Sequence, residues 1–220
     1  MKAMILAAGR GERLRPLTDR VPKPLIAVGG KALIVRHLEA LAAAGFREVV
    51  INLAWLGEQI KKALGNGAGF GLSITYSHEP PGALETAGGI IRALPLLGKR
   101  PFAMISADVL CDYPMQRLRE RRLSGEGHLV MVNNPDHHPG GDFSIDADGK
   151  LRSGGGLTFS GLAVLDPKLF SGLAPGPRPL RPVFEAGISR GRLTGEHYPG
   201  IWSDVGTPER LREAEALGNS

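Results

Sequence analysis

Five short apolar runs mark the first part of the chain: AMILAA (3–8), VVINLA (49–54), LSITYS (72–77), FAMISA (102–107) and LVMVN (129–133). Between them lie stretches with helical spacing: ALIVRHLEALAAAG (32–45), closed by Gly45 as a C-cap, LGEQIKKALG (56–65), LETAGGIIRALPLL (84–97) and MQRLRERRLS (115–124). Strands alternating with helices predict an α/β domain with a mostly parallel sheet. After Pro135 the alternation fails. DFSIDADGKLR (142–152) reads as a hairpin turning at Asp148-Gly149, and TFSGLAVLD (158–166) as a strand, so mixed or antiparallel strands are expected at one side of the sheet. SGLAPGPRPLRP (171–182) reads as proline-punctuated surface chain. IWSDVGTPERLREAEAL (201–217) reads as a strand followed by a helix with Thr207 as N-cap and Pro208 in its first turn.

A length of 220 residues suits one such domain with a sizeable core. The net charge of +5 favours anionic partners, and phosphorylated metabolites satisfy it as well as nucleic acid does. The one dense basic patch, Arg117 to Leu123, alternates Arg with Glu like a solvated helix face, so no nucleic-acid partner is expected. A single cysteine, Cys111, leaves no internal disulfide and no paired-cysteine metal site, which suits a reducing, cytoplasmic compartment. Arg10 interrupts the apolar start, and no run of 18 apolar residues follows, so neither a signal peptide nor a membrane partner is expected. Oligomeric state is not encoded in any pattern found.

The first strand runs into LAAGRGERLRPLTDRVPKPL (6–25). Glycines there let backbone N–H groups approach a ligand at the carboxyl end of the strand. Leu14 stands where a dinucleotide fingerprint needs its third glycine, and VGGKA (28–32) lacks the Ser/Thr and upstream glycine of a Walker A loop. What remains is a proline-stiffened loop carrying Arg10, Arg13, Arg15 and Lys23, a set that suits a polyphosphate without every member touching it. The alternative is an ordinary surface loop with solvated charges.

Moving a nucleotidyl group also calls for a divalent metal, and two acids stand at strand ends: Asp108 after FAMISA and Asp204 in IWSDVG. Two hard oxygen ligands with retained waters suit Mg²⁺. Either acid alone could be a turn former or helix cap. PDHH (135–138) looks metal-like, but adjacent histidines diverge and the surrounding Pro-Gly-Gly marks a loop. His197 is read as a strand-edge histidine.

Taken together, LAAGRGERLRPLT…VPKPL, LETAGG, the Asp of ISAD and WSDVGTPERL resemble the sugar-1-phosphate nucleotidylyltransferases over nearly the whole chain. INLAWLGEQI, HHPGGDF and GEHYPGIWSDVGTPERL draw the resemblance toward the bacterial uridylyltransferases of peptidoglycan recycling that act on N-acetylmuramic acid α-1-phosphate. The resemblance implies a Rossmann-like mixed sheet, the nucleotide-diphospho-sugar transferase fold. It divides the single domain 1–220 into a nucleotide-binding part (1–134) and a sugar-binding part with the second metal ligand (135–220). It implies UTP and a sugar 1-phosphate as substrates and Mg²⁺ as cofactor. Arg13 and Lys23 would stabilise the phosphates, Asp108 and Asp204 hold the metal, and Ala8, Gly9, Gly11 and Gly88 line the nucleotide. Glucose- or mannose-1-phosphate chemistry with dTTP or GTP is the neighbouring alternative, and a non-catalytic nucleotide-sugar sensor the remoter one.

The chain departs from that family twice. Glu85 replaces a glycine common in relatives beside the base pocket, where it either accepts a base N–H or sits in the first turn of the next helix. Glu79 stands near a base-contacting glutamine of relatives. DGKLRSGG lacks the Val-Glu-Lys-Pro element that contacts the sugar phosphate elsewhere, leaving Asn133, Gly141, Asp142, Gly161 and Glu185 as acceptor candidates and Arg152 for a lactyl carboxylate.

Overall fold

In the computed structural model, which describes residues 1–80, 82 and 84–218, the chain folds around a seven-stranded sheet. β1 (Ala3–Leu6) leads through the glycine-proline loop, wound into three short 3-10 turns, to a two-residue hairpin of β2 (Ala27–Val28) and β3 (Lys31–Ala32). Then come α1 (Leu33–Ala43), β4 (Glu48–Leu53), α2 (Gly57–Leu64), β5 (Ser73–His78), α3 (Glu85–Leu97), β6 (Phe102–Ser106), β7 (Val109–Cys111), α4 (Met115–Glu120) and β8 (Gly127–Val132). β9 (Phe143–Ile145), β10 (Leu151–Ser153), β11 (Thr158–Leu165), α5 (Leu180–Ser189), β12 (Leu193–His197), β13 (Trp202–Asp204) and α6 (Pro208–Gly218) follow.

The predicted helices form because each carries an apolar stripe. α1 buries Leu33, Ile34, His37, Leu38 and Leu41 on one side. It stops where Gly45 adopts φ +83. There the Gly45 N–H donates to Ala42 O at 2.9 Å and the Phe46 N–H to Leu41 O at 3.0 Å, the paired bonds of a Schellman ending. Along the central strands alternate residues bury on opposite faces. Ile5, Ile51 and Ile105 face α1, α2 and α4, whereas Met4 and Met104 face α3, α5 and the β9–β10 hairpin.

The sheet order is β12-β8-β11-β6-β1-β4-β5. All neighbours are parallel except β11, which runs against both β8 and β6. The antiparallel pairing expected at one side is supplied by β11, on the β12–β8 side but within the sheet. All of its residues but Phe159 are buried, which only a central position allows. The hairpin does turn at Asp148-Gly149, but β9 and β10 form their own two-stranded sheet instead of extending the main one. α5 begins within the stretch read as surface chain. Its prolines, Pro179 before the helix and Pro182 in its first turn, sit where backbone N–H groups have no intrahelical partner.

The Arg117–Leu123 patch also differs from its reading as a solvated face. Arg117 and Arg121 each donate to Glu196 Oε2 of β12 at 2.6 Å, and the Tyr113 hydroxyl donates to Oε1. Burial alone would raise the Glu196 pKa, but hydrogen bonds from His128 and Tyr113 and the two guanidinium charges hold it at about 2.

Parallel β1, β4, β6, β8 and β12 end at one edge of the sheet, and β11 begins there. That edge gathers the residues with chemical potential.

Candidate active site

The loop after β1 is tied at its start to two neighbouring strands. The Ala7 N–H donates to Asn52 Oδ1 at 2.8 Å, and Asn52 Nδ2 donates to Glu79 Oε1 at 2.7 Å. Burial raises the pKa of Glu79 against the hydrogen bond from Asn52. Gly89 of α3 must be glycine here, because a Cβ would fall 2.6 Å from Glu79 Oε1 and 2.9 Å from Asn52 Nδ2. At Gly11 the backbone is left-handed, φ +68, and a side chain would meet Thr18 and Lys23.

The four loop cations divide into two pairs. Arg10 lies over the Trp55 ring, 4.0 Å from its centroid, and Arg15 holds Asp19 at 2.9 Å. Both are used within the loop and its flank. Lys23, only 9% exposed, is instead ion-paired with Asp108. Arg13 extends its guanidinium over Gly206, with Nη2 3.1 Å from where a Cβ at Gly206 would lie. Thus, of the two cations assigned to phosphate binding, Lys23 pairs with Asp108 and Arg13 lies against Gly206, two residues from Asp204.

The acids meet through a short antiparallel pairing. β13 lies on β7 with Asp204 opposite Val109, and the Val205 N–H donates to Asp108 O at 2.8 Å. Trp202 anchors this strand by donating from Nε1 to Ser160 O at 2.9 Å. Behind β7, burial lowers the pKa of His37 to about 4, so the ring is neutral while it bonds the Val109 backbone. Asp204 Oδ2 is paired with Arg210 of α6, whereas Asp204 Oδ1 is buried with no hydrogen-bond partner.

His137 Nε2 lies 3.1 Å from Asp204 Oδ1 and 2.8 Å from Arg210 Nη1. A guanidinium keeps its protons, so Nε2 accepts from Arg210 with its single lone pair and has no proton to give Oδ1. An anionic oxygen left without a donor beside a second carboxylate fits a divalent cation. Among the described residues no cluster of three or more His, Cys, Asp or Glu could hold a metal, so substrate oxygens and water would have to complete the shell of Asp108 and Asp204.

The other expected site residues occupy varied surroundings. Gly88 packs against the Gly176 carbonyl and donates its N–H to Arg178 O at 3.2 Å, so its missing side chain is explained by packing. Glu85 is the first residue of α3, as the helix-turn alternative requires, but its φ is +56, a conformation that glycine adopts without strain and glutamate does not. Ala8 and Gly9 lie where the first strand gives way to the loop.

On the acceptor side, Asn133 Oδ1 bonds His197 Nε2 at 2.8 Å. Asp142 Oδ2 accepts the Phe159 N–H at 2.9 Å, and Oδ1 faces His138 at 3.3 Å and Arg181 at 3.2 Å. Glu185 holds Arg181 at 2.9 Å. Gly141, φ +62, packs against Asn134 and the Leu157 carbonyl. Gly161, φ +83, lies apart from these residues, against Ser106 and Val109 at the metal end. Arg152 is held by Asp146 at 2.7 Å on an exposed face of the hairpin. An open cleft of about 460 Å³, lined by Ser144, Ile145, Leu157 and His197 among others, lies between the hairpin sheet and β12.

Three residues at this edge were missed. Asn52 had a signal, a lone amide inside the apolar run VVINLA. Arg210 had none, since PERL reads as an ordinary helix start. His137 was weighed only as a metal ligand, and the structure instead sets it against Asp204 and Arg210.

The chain belongs to the nucleotidyl transferase family, whose sequence profile matches residues 2–143. Within that class, it is 50% identical over 229 residues to the N-acetylmuramate alpha-1-phosphate uridylyltransferase of Neisseria meningitidis serogroup B, covering 100% of this chain and 99% of that protein. It is 33% identical to a mannose-1-phosphate guanyltransferase of Emericella nidulans, of which it spans 62%. Among solved structures it overlays on a candidate glucose-1-phosphate thymidylyltransferase from Bacillus anthracis in complex with a sucrose, with TM-score 0.90 and 24% identity, covering 100% of this chain and 96% of that one. HddC from Yersinia pseudotuberculosis aligns with TM-score 0.82 and 22% identity over 98% of each chain. These two likenesses establish the nucleotide-diphospho-sugar transferase fold.

Proposed function

We propose that the protein joins UTP and N-acetylmuramic acid α-1-phosphate to give the UDP-sugar and pyrophosphate, in the cytoplasm and as part of peptidoglycan recycling. The observation that carries the catalytic reading is the β7–β13 pairing, which sets Asp108 and Asp204 side by side within reach of Lys23 and Arg13. The choice of substrates rests on the half-identity to the Neisseria protein, which extends over the full length of both chains.

In this reading a phosphate oxygen of the acceptor attacks the α-phosphorus of UTP, a new P–O bond forms, and the bond to the β-phosphate breaks to release pyrophosphate. The attacking oxygen is already anionic, so no general base is required. Lys23 and Arg13 bind the triphosphate and offset the charge that builds on the leaving pyrophosphate. Ala8, Gly9 and Gly11 bring backbone to the nucleotide, while Glu79 and Glu85 lie on its base side with Gly88 in the helix behind. Asp108 and Asp204 would hold Mg²⁺, which when bound draws charge from the phosphoryl oxygens. Asn133, Gly141, Asp142 and Glu185 form the acceptor end, and Gly161 keeps the approach to Ser106 open. The work of the chain is positioning and electrostatics, for which fixed cations at strand ends suffice.

The 33% identity to the Emericella protein favours mannose-1-phosphate with GTP as the second reading. Incubation with Mg²⁺ and a matrix of UTP, dTTP and GTP against muramic, glucose and mannose 1-phosphates, read by pyrophosphate release, separates them. Fastest release is expected for UTP with the muramic acid compound. Preference for GTP and mannose 1-phosphate would replace the substrate assignment, and no release from any pair would leave a nucleotide-sugar sensor.

A further inference from the structure

Arg210 is a guanidinium only 7% exposed, fixed by a carboxylate on one side and an imidazole on the other. Both of those contacts use Nη1. Gly206 makes room for the rest of the group, since a Cβ at that position would overlap Arg210 Nη2 and lie within 3.1 Å of Arg13 Nη2. Arg210 and His137 thus flank the carboxylate of Asp204, with Arg13 beside Gly206 two residues on, and Asp204 Oδ1 has no hydrogen-bond partner. Their origins differ: Arg13 comes from the loop after β1, Arg210 from α6, and His137 from the loop after β8 that continues into Asp142.

We infer that Arg210, oriented by Asp204 and His137, binds a phosphoryl oxygen of the acceptor's phosphate. The inference rests on the nucleotidyl transfer proposed above and names the group that receives its nucleophile. A buried guanidinium with Nη1 anchored and Nη2 laid against the bare backbone of Gly206, beside a second guanidinium, is suited to an oxyanion that both could share. The triphosphate already has Lys23, Arg13 and the glycine loop. On the acceptor side Arg152 is held by Asp146, and Arg181 by Asp142 and Glu185. Arg210 sits between Arg13, from the nucleotide loop, and His137, from the loop that leads to Asp142, and so brings positive charge to the boundary between the two substrates. His137 is a positioning residue, because its Nε2 accepts from Nη1 and fixes the plane of the fork.

The test uses Arg210→Gln and Arg210→Lys, with His137→Asn as a milder change, each confirmed as folded by circular dichroism. Calorimetric titration of wild type and variants with inorganic phosphate and with pyrophosphate reads the site without turnover. Loss of a charge-assisted pair should weaken phosphate binding by roughly 10- to 100-fold in Arg210→Gln, with pyrophosphate affinity changed by less than about 3-fold. In steady state the same variant should raise the acceptor KM and spare the UTP KM, and Arg210→Lys should recover only part because a lysine cannot fork. Mn²⁺ affinity, followed by electron paramagnetic resonance without nucleotide, should not weaken. Loss of pyrophosphate and UTP affinity with phosphate unaffected would assign Arg210 to the triphosphate and overturn the inference. Loss of Mn²⁺ affinity in step with activity, cured by excess metal, would reduce it to a support for Asp204 and overturn it equally. Failure of the wild type to release pyrophosphate with any substrate pair would refute the nucleotidyl-transfer reading, while the phosphate titration would still decide whether Arg210 binds this anion.

Discussion

Replacing Glu196 by glutamine removes the one negative charge that Arg117 and Arg121 share, and its consequence can be worked out from the surroundings. The carboxylate is 13% exposed and receives Arg117, Arg121 and Tyr113. Its pKa lies at about 2 in place of the ordinary 4.5. At 1.36 kcal/mol per pH unit, that drop is worth about 3 kcal/mol of folding free energy at neutral pH. The figure is an upper value, because the arginine side chains are 46% and 33% exposed and share their charge with water. A carboxyl with a lowered folded pKa is more acidic when folded, so its contribution is complete above pH 4.5 and is lost as the pH falls through about 2. Urea unfolding of wild type and Glu196→Gln at several pH values from 7 to 2.5 should therefore show a stability gap that is largest at neutral pH and narrows steadily below pH 4.5. Other carboxyls titrate in the same range, but they do so in both proteins and cancel in the difference. Two stability curves that stay parallel from pH 7 to 2.5 would refute the argument, and a glutamine variant more stable than wild type at pH 7 would show that desolvation outweighs the guanidinium partners.

Asp108→Asn and Asp204→Asn should each reduce pyrophosphate release strongly at saturating Mg²⁺ while keeping the native circular dichroism spectrum, with Asp204→Asn the less stable of the two because it uncouples the buried Arg210. Near-normal turnover in both would remove the metal assignment. Lys23→Ala should lose roughly 10²-fold in kcat, as deletion of a fixed charge opposite a developing oxyanion does, measured under saturating substrates. Glu85→Gly should raise the melting temperature, because relief of the left-handed φ of +56 is worth up to about 1 kcal/mol after the flexibility of glycine is discounted. If Glu85 accepts a hydrogen bond from the base, the same variant should also lose discrimination among UTP, dTTP and GTP in the pyrophosphate assay.

Local patterns carried the first half of the molecule and stopped where long-range pairing took over. α1 was readable to its last turn, because apolar spacing and a terminal glycine are both written in consecutive residues. β11 was readable as a strand but not as an interior one, since its place depends on which neighbours accept it, and an apolar strand looks the same at either position. α5 was hidden by its prolines, which break a helix interior but are harmless in the first turn. The site shows the same division. The loop announced its cations as a group, but only folding sorted them: Asp19 and Trp55 hold Arg15 and Arg10, while Lys23 pairs with Asp108 and Arg13 lies against Gly206.

Asp108 and Asp204 could be matched in advance only by assuming a shared sheet edge, and the contact that joins them is a pairing of three residues with three between β7 and β13, outside the main sheet. Such a short pairing has little intrinsic stability, so it must be secured by its flanks. Trp202 does this from one side by bonding β11 at Ser160, and Arg210 from the other by holding Asp204 to α6. The interior position of β11 is therefore what makes the second acid available: were it an edge strand, Ser160 would lie away from β6 and Trp202 could not hold Asp204 beside Asp108. The antiparallel strand whose neighbours no local pattern names is the element on which the geometry of the site depends.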